Sequence, residues 1–281
     1  MSGLQISLVT ASAIGVACAM LSVFVVLRRW AFIGEGIAHA SFGGAGTAWL
    51  LSLILPGVAL FQHEVGVYCI AAIYCLAVAL GIGALTRREH VYSDTAIGIF
   101  LVASLAWGFF GFGAYRELKR GAMPPGWTDY LVGQTSLRSA EMMGAVLMCL
   151  AVLGVMGMMR KEILSFCFDA QMAEASGVRV GVVHYVMILL VTSTILLGMR
   201  LMGSLLVAAL LVLPGAIGLQ VSRRMSVVIG VAVTAGLIAA ISGPLISHRW
   251  NFVRDGPAIV LVLVGEFVVA YLWGRTRMGV R

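Results

Sequence analysis

The chain has little charge. Of its 281 residues, 11% are Asp, Glu, Lys or Arg against 61% hydrophobic, and the mean hydropathy is +1.03. So few charges cannot clothe the surface of a soluble domain of this size, so the composition implies a polytopic helical membrane protein. Lysine is nearly absent: Lys119 and Lys161 are the only two. The net charge of +7 therefore rests on short arginine clusters between apolar runs. That is the pattern of loops held on the cytoplasmic side of a membrane, so no nucleic-acid partner is expected. Five cysteines (Cys18, Cys69, Cys75, Cys149 and Cys167) are scattered without a CxxC pair. They read as small apolar fillers, with neither a disulfide framework nor a thiolate metal site. No GxxxxGK[ST] loop is present to cradle a phosphate, so no ATP site is expected on this chain. The absence of HExxH and GxSxG disfavours an intramembrane metalloprotease or a serine hydrolase. The first apolar run has no basic residue before it, so no cleavable leader is expected.

What is present is a series of nine apolar runs, at roughly 6–27, 32–55, 65–86, 93–113, 139–159, 181–199, 203–222, 226–246 and 257–274. Each has the length needed to cross ~30 Å of hydrocarbon at ~1.5 Å per residue. Twelve of the nineteen basic residues fall on one set of alternate loops and seven on the other. This places the N-terminus outside and the C-terminus in the cytoplasm. The sixth and seventh runs are separated only by Met199–Gly203, and Pro214 interrupts the seventh, so a broken helix there would reduce the full crossings to eight. The predicted fold is thus an all-α polytopic membrane protein of eight or nine transmembrane helices, one transmembrane domain over 1–281. The outer loop 111–138 carries a Pro124–Pro125 break and two interfacial anchors, Trp127 and Tyr130. The cytoplasmic stretch 160–180 contains a short helical pattern from Asp169 to Ala175 that stops at Gly177. With Phe166, Phe168 and Met172 among its charges, it reads either as a docking element for a cytoplasmic partner or as an ordinary connector.

The run RRWAFIGEGIAHASFGGAGTAWLLSL places a carboxylate and an imidazole inside an apolar segment. Glu35 and His39 are four apart and so share one helical face. Small residues surround them, as close helix packing or passage of an ion requires. Oxygen and nitrogen donors suit zinc, manganese or iron, but two ligands do not close a site; the rest must come from another helix, a second copy or water. The bland alternative is that Glu35 complements the helix dipole and His39 bonds a neighbour. Glu266 lies midway along the last run, where structural pairing, proton relay and metal ligation are all open. Asp94 reads as an N-cap for the fourth helix. His90 and His184 carry no special signal. Beyond a transporter, these residues leave two rivals: a gradient-driven carrier or channel, and an intramembrane enzyme using Glu35 and His39 as acid and base.

Several segments, in order, resemble one family. VFVVLRRWAFIGEGIAHASFGGAG resembles the LRRxxLxGDxLSHAxLPG segment of bacterial metal-uptake ABC permeases, the membrane subunits of manganese, zinc and iron importers. SDTAIGIFLVASLAWG looks like their fourth helix, YLVGQ their YLFGN, and FDAQMAEASGVRV their FDxxxAxxxGxxV cytoplasmic loop. LMGSLLVAALLVLPGAIG resembles LxGxLLVxALLVLPAA, and GPAIVLVLV their penultimate apolar motif. The resemblance implies a plasma (inner) membrane protein with a fold related to the vitamin B12 and siderophore permeases. It implies a homodimer with the ion path between two copies, cytoplasmic ATPase subunits, and an extracytoplasmic metal-binding protein. It assigns Glu35 and His39 as metal ligands, with Zn2+ or Mn2+ as the transported ion and no permanently bound cofactor. It makes the stretch carrying Phe168, Asp169, Glu174 and Gly177 the ATPase-coupling loop. Here Glu replaces the family's usual Asp, and Phe42–Gly43–Gly44 replaces apolar–Pro–Gly, which predicts flexibility in place of a kink. Glu266 has no counterpart in the pattern.

Overall fold

The computed structural model describes residues 3–55, 57–58, 63–87, 92–125, 139–249 and 255–278, and every regular element among them is a helix. The order is α1 Gly3–Leu27, α2 Ile33–Ile54, α3 Glu64–Arg87, α4 Ser93–Leu118, α5 Ser139–Met158 and α6 Arg160–Phe168. It continues with α7 Ala170–Ala175, α8 Val180–Met202, α9 Ser204–Leu210, α10 Leu213–Val221, α11 Met225–Arg249 and α12 Asp255–Met278. Eight of these are long and apolar enough to cross a membrane: α1 to α5, α8, α11 and α12.

The seventh apolar run is the exception, and it resolves the choice between eight and nine. It is two short helices, α9 and α10, parted at Leu211 and Val212. Pro214 explains the break: it has no N–H to give the Leu210 carbonyl, and its ring would collide with it. In the first turn of α10 the missing N–H has no helical partner to lose. At the other end a single residue, Gly203 at φ 93° and ψ 158°, reverses the chain between α8 and α9.

Two boundaries differ from expectation. α4 runs past 113 to Leu118, so Tyr115, Arg116 and Glu117 are helical. The first breaker is Arg120, with φ 53°, followed by Gly121 at φ 87°. Asp94 is not the N-cap; Tyr92 holds that position, and Asp94 sits in the first turn, where its charge complements the dipole. The expected anchors Trp127 and Tyr130, the YLVGQ segment and His90 lie outside the described residues.

Contacts sort the helix ends into two sets. Arg28 reaches Phe166, His184 reaches Gly83, and Gly215 packs on Ser22 at one end. At the other, the Ser7 hydroxyl donates to Asp255 at 2.6 Å, and Gly256 lies beside Met202. This is the alternation of helix ends that the arginine clusters predict.

Small residues set the packing, because between helices in lipid close van der Waals contact must replace the hydrophobic effect. α1 is held against α11 where a Cβ on Gly15 would stand 2.9 Å from the Ala240 Cβ, and one on Gly236 would stand 2.7 Å from the Ala19 Cβ. α2 is sandwiched the same way. A Cβ on Gly44 would come within 2.5 Å of the Ala71 Cα on α3, and one on Gly43 within 2.7 Å of the Ser104 carbonyl on α4. The Phe42–Gly43–Gly44 departure therefore provides closeness. α2 is the least hydropathic of the eight spans and is among the two most buried.

Candidate functional site

α2 packs against α3, α4, α8 and α9, so nearly all of it is enclosed. Of the fourteen residues from Ile33 to Gly46, only Glu35 and His39 are not buried. Their side chains are 38% and 39% exposed, and the His39 Nε2 stands 3.5 Å from the Glu35 Oε2. That is too long for a tight hydrogen bond. It suits a different geometry: two donors on one tetrahedral ion at ~2.1 Å stand about 3.4 Å apart. Hydroxyl groups on the same helix are satisfied within it. Ser41 donates to the Ala38 carbonyl at 2.6 Å, and Thr47 to the Gly43 carbonyl at 3.0 Å while accepting from the Trp107 Nε1 at 2.9 Å. They leave the carboxylate and imidazole as the pair open to a ligand. Beyond them, towards Ile54, Phe42 meets Phe109 at 5.1 Å and Trp49 at 5.8 Å between ring centroids.

The pair is incomplete. Among the described residues no group of three or more His, Cys, Asp and Glu gathers to hold an ion. Glu266 is not brought to it: α12 packs chiefly on α9, α10 and α11. One Glu266 carboxylate oxygen is buried with no hydrogen-bond partner among the described residues. Arg200, at the end of α8, lies 3.8 Å from Glu141 and stacks 4.5 Å over the Tyr68 ring, tying α8 to α5 and α3.

The 160–180 stretch is two helices. The second, α7, is capped at both ends by residues that the sequence singles out. The Asp169 carboxylate accepts from the Met172 N–H at 2.9 Å, as an N-cap does. At the far end the Val178 N–H reaches the Ala173 carbonyl and the Gly177 N–H the Glu174 carbonyl, both at 3.0 Å. This Schellman closure needs Gly177 at φ 86°. Phe168 and Met172 are 70% and 65% exposed and, with Leu164, Ser165, Asp169 and Ser176, line an open groove of ≈ 360 Å³. Phe166 does not belong with them. It is 1% exposed and points inward.

Sequence reasoning missed what Phe166 touches. The Arg28 guanidinium lies 4.1 Å over its ring and donates to its carbonyl at 3.4 Å. The His184 ring meets it edge-on at 6.0 Å and meets Trp30 at 5.4 Å. His184 Nε2 is 3.1 Å from the Gly83 carbonyl, which can only accept, so the proton is on Nε2. The one available signal was Arg28 beside Trp30 at the start of the α2 segment.

Eight spans and the likeness to known transport proteins define a multi-pass plasma-membrane transport subunit, not an enzyme. The chain belongs to the ABC 3 transport family, whose model matches residues 1–274, and it is a permease subunit of an ABC transporter. It is 30% identical over 277 residues to the manganese transport system membrane protein MntC of Listeria monocytogenes, covering 97% of this chain and 91% of that one. It is 28% identical over 275 residues to the chelated iron transport system membrane protein YfeD of Yersinia pestis, covering 98% and 86%. Among solved structures it resembles PsaBC from Streptococcus pneumoniae in complex with Fab, at TM-score 0.75 and 26% identity over 96% of this chain and 91% of that one.

Proposed function

We propose that the cargo is a divalent first-row transition metal ion and that Glu35 and His39 hold it in transit. The observation that carries this reading is the pair itself: a carboxylate and an imidazole 3.5 Å apart, the only window in the buried first half of α2. Oxygen and nitrogen donors without thiolate suit Mn2+, Fe2+ or Zn2+, and the names of relatives favour the first two. Two donors from one chain are half a site. A second copy facing the first across this window supplies the other two, which makes the working unit a homodimer with the path between protomers. Loose, open coordination serves transport, because an ion held as in a structural site would not leave.

In this reading an extracytoplasmic metal-binding protein delivers the ion from outside. ATPase subunits dock in the cytoplasm on the α6–α7 groove, using Phe168 and Met172 as anchors. Their closure on ATP moves these helices and alternates access to the pair. The test is uptake into proteoliposomes holding this chain, its ATPase and its binding protein, comparing Mn2+, Fe2+ and Zn2+ with and without ATP. ATP-dependent accumulation of one ion, lost in Glu35→Ala and His39→Ala, is the expected result. Accumulation that ignores ATP would instead mean a gradient-driven carrier.

A further inference from the structure

We propose that Phe166, Arg28, His184 and Trp30 are positioning residues that link the docking helices mechanically to the Glu35–His39 pair. The inference rests on the importer reading above and adds the route by which the groove acts on the site. Phe166 lies on the buried face of α6 with Ile163 and Cys167, two residues before the exposed Phe168. Its ring meets both the Arg28 guanidinium, at 4.1 Å, and the His184 ring, at 6.0 Å in a T-shaped contact. His184 also touches Trp30, at 5.4 Å between ring centroids. Trp30 closes α1 and starts α2: its N–H bonds the Val25 carbonyl, and its own carbonyl accepts from Ile33, both at 2.9 Å. Glu35 follows five residues later.

The three rings are 1%, 4% and 3% exposed for Phe166, His184 and Trp30, so no void absorbs a displacement among them. A close-packed cluster passes movement on to the next rigid element, which here is the first turn of α2. The α1–α2 connection is itself stiff. Arg29 stands at φ 57°, and the bonds Trp30 to Val25 and Arg29 to Val26 form a Schellman closure. Docking-helix motion is therefore delivered to Glu35 as a shift of the helix start, whereas a slack loop would dissipate it.

The test uses the full complex in liposomes, with the ion that the wild type transports as probe. Phe166→Leu keeps bulk but loses the flat ring, and Arg28→Lys keeps charge but loses the planar face. Wild type, both variants and the double variant are compared for ATPase assembly, ion binding without nucleotide, ATP hydrolysis and ions moved per ATP. Expected for each variant are intact assembly, binding and hydrolysis, with ions moved per ATP down about tenfold. The double variant should be no worse than the weaker single, because both cut one link. An unchanged ratio in both variants overturns the link, as does a double variant whose losses multiply. A loss of ion binding in proportion to uptake also overturns it, since that would make the cluster only a support of the site. Absence of ATP-driven uptake in the wild type removes the importer reading and the link together, so the two failures are told apart.

Discussion

Gly46 of α2 and Gly108 of α4 meet backbone to backbone: a Cβ on Gly46 would stand 2.8 Å from the Gly108 Cα. Gly46 is two turns beyond His39 on nearly the same face, so this contact fixes how α4 lies across the continuation of that face. A side chain at either position must push the helices apart. Gly46→Val or Gly108→Val is expected to cost about 1–3 kcal/mol and to reduce uptake. Gly98→Ala and Gly113→Ala on the same helix, where nothing lies within 4 Å, should leave both unchanged or slightly improved. Thermal unfolding in detergent, with uptake in parallel, separates the two sets. Equal behaviour of all four would mean that the close crossing is not needed.

Replacing Glu35 by Gln preserves the shape of the side chain and removes its charge. Uptake should fall at least about tenfold, with ATPase assembly intact, and Glu35→Asp should keep part of it. His39→Ala should match Glu35→Gln, because either change leaves one donor per chain. Copurification with the ATPase and radiometal uptake give both readouts. Normal uptake by both variants would remove the pair from the mechanism.

Much of this was legible in the residues. The nine runs, the arginine alternation and the break at Pro214 follow from length, charge and a missing N–H, which are local properties. Glu35 and His39 were visible because an ionisable pair is rare in an apolar run. The inward turn of Phe166 was not visible. Phe166 and Phe168 are two apart in an amphipathic stretch, and only the position of Arg28, in the turn after α1, and of His184, on α8, decides which one is buried. The same holds for Gly43 and Gly44: sequence shows that Cβ atoms are absent, but only α3 and α4 show that they must be.

The caps on α7 set the shape of the groove. Six residues form a helix too short to persist without help. Asp169→Ala removes the bond to Met172 and should cost about 1 kcal/mol. Gly177→Ala forces a Cβ into the left-handed region at φ 86° and should cost about as much. Hydrogen exchange should rise across Ala170–Ala175 in both variants while α8 keeps its protection. Phe168→Ala with Met172→Ala should weaken copurification with the ATPase without that rise, since both side chains are exposed. Undiminished copurification in this double variant would mean that the ATPase docks elsewhere.

Cys167 reports whether α6 is seated. Burial pushes its thiol up from 9.0 to about 12, because an enclosed thiolate loses its hydration, and the nearby Arg28 only partly offsets this. A shift of that size leaves about a thousandfold less thiolate at pH 8 than an ordinary cysteine has. Cys69 is the exposed cysteine, so the measurement belongs in a Cys69→Ser background. There Cys167 should resist a maleimide between pH 7 and 9. Phe166→Ala removes the ring that anchors α6, so Cys167 should become hydrated and its pKa should fall back towards the ordinary range. Labelling should then appear and climb steeply with pH. The sign is fixed: loss of burial can only favour the charged form. Rapid labelling of Cys167 in the parent protein would mean that α6 does not rest against Arg28, and the contacts of Phe166 would lose their mechanical role.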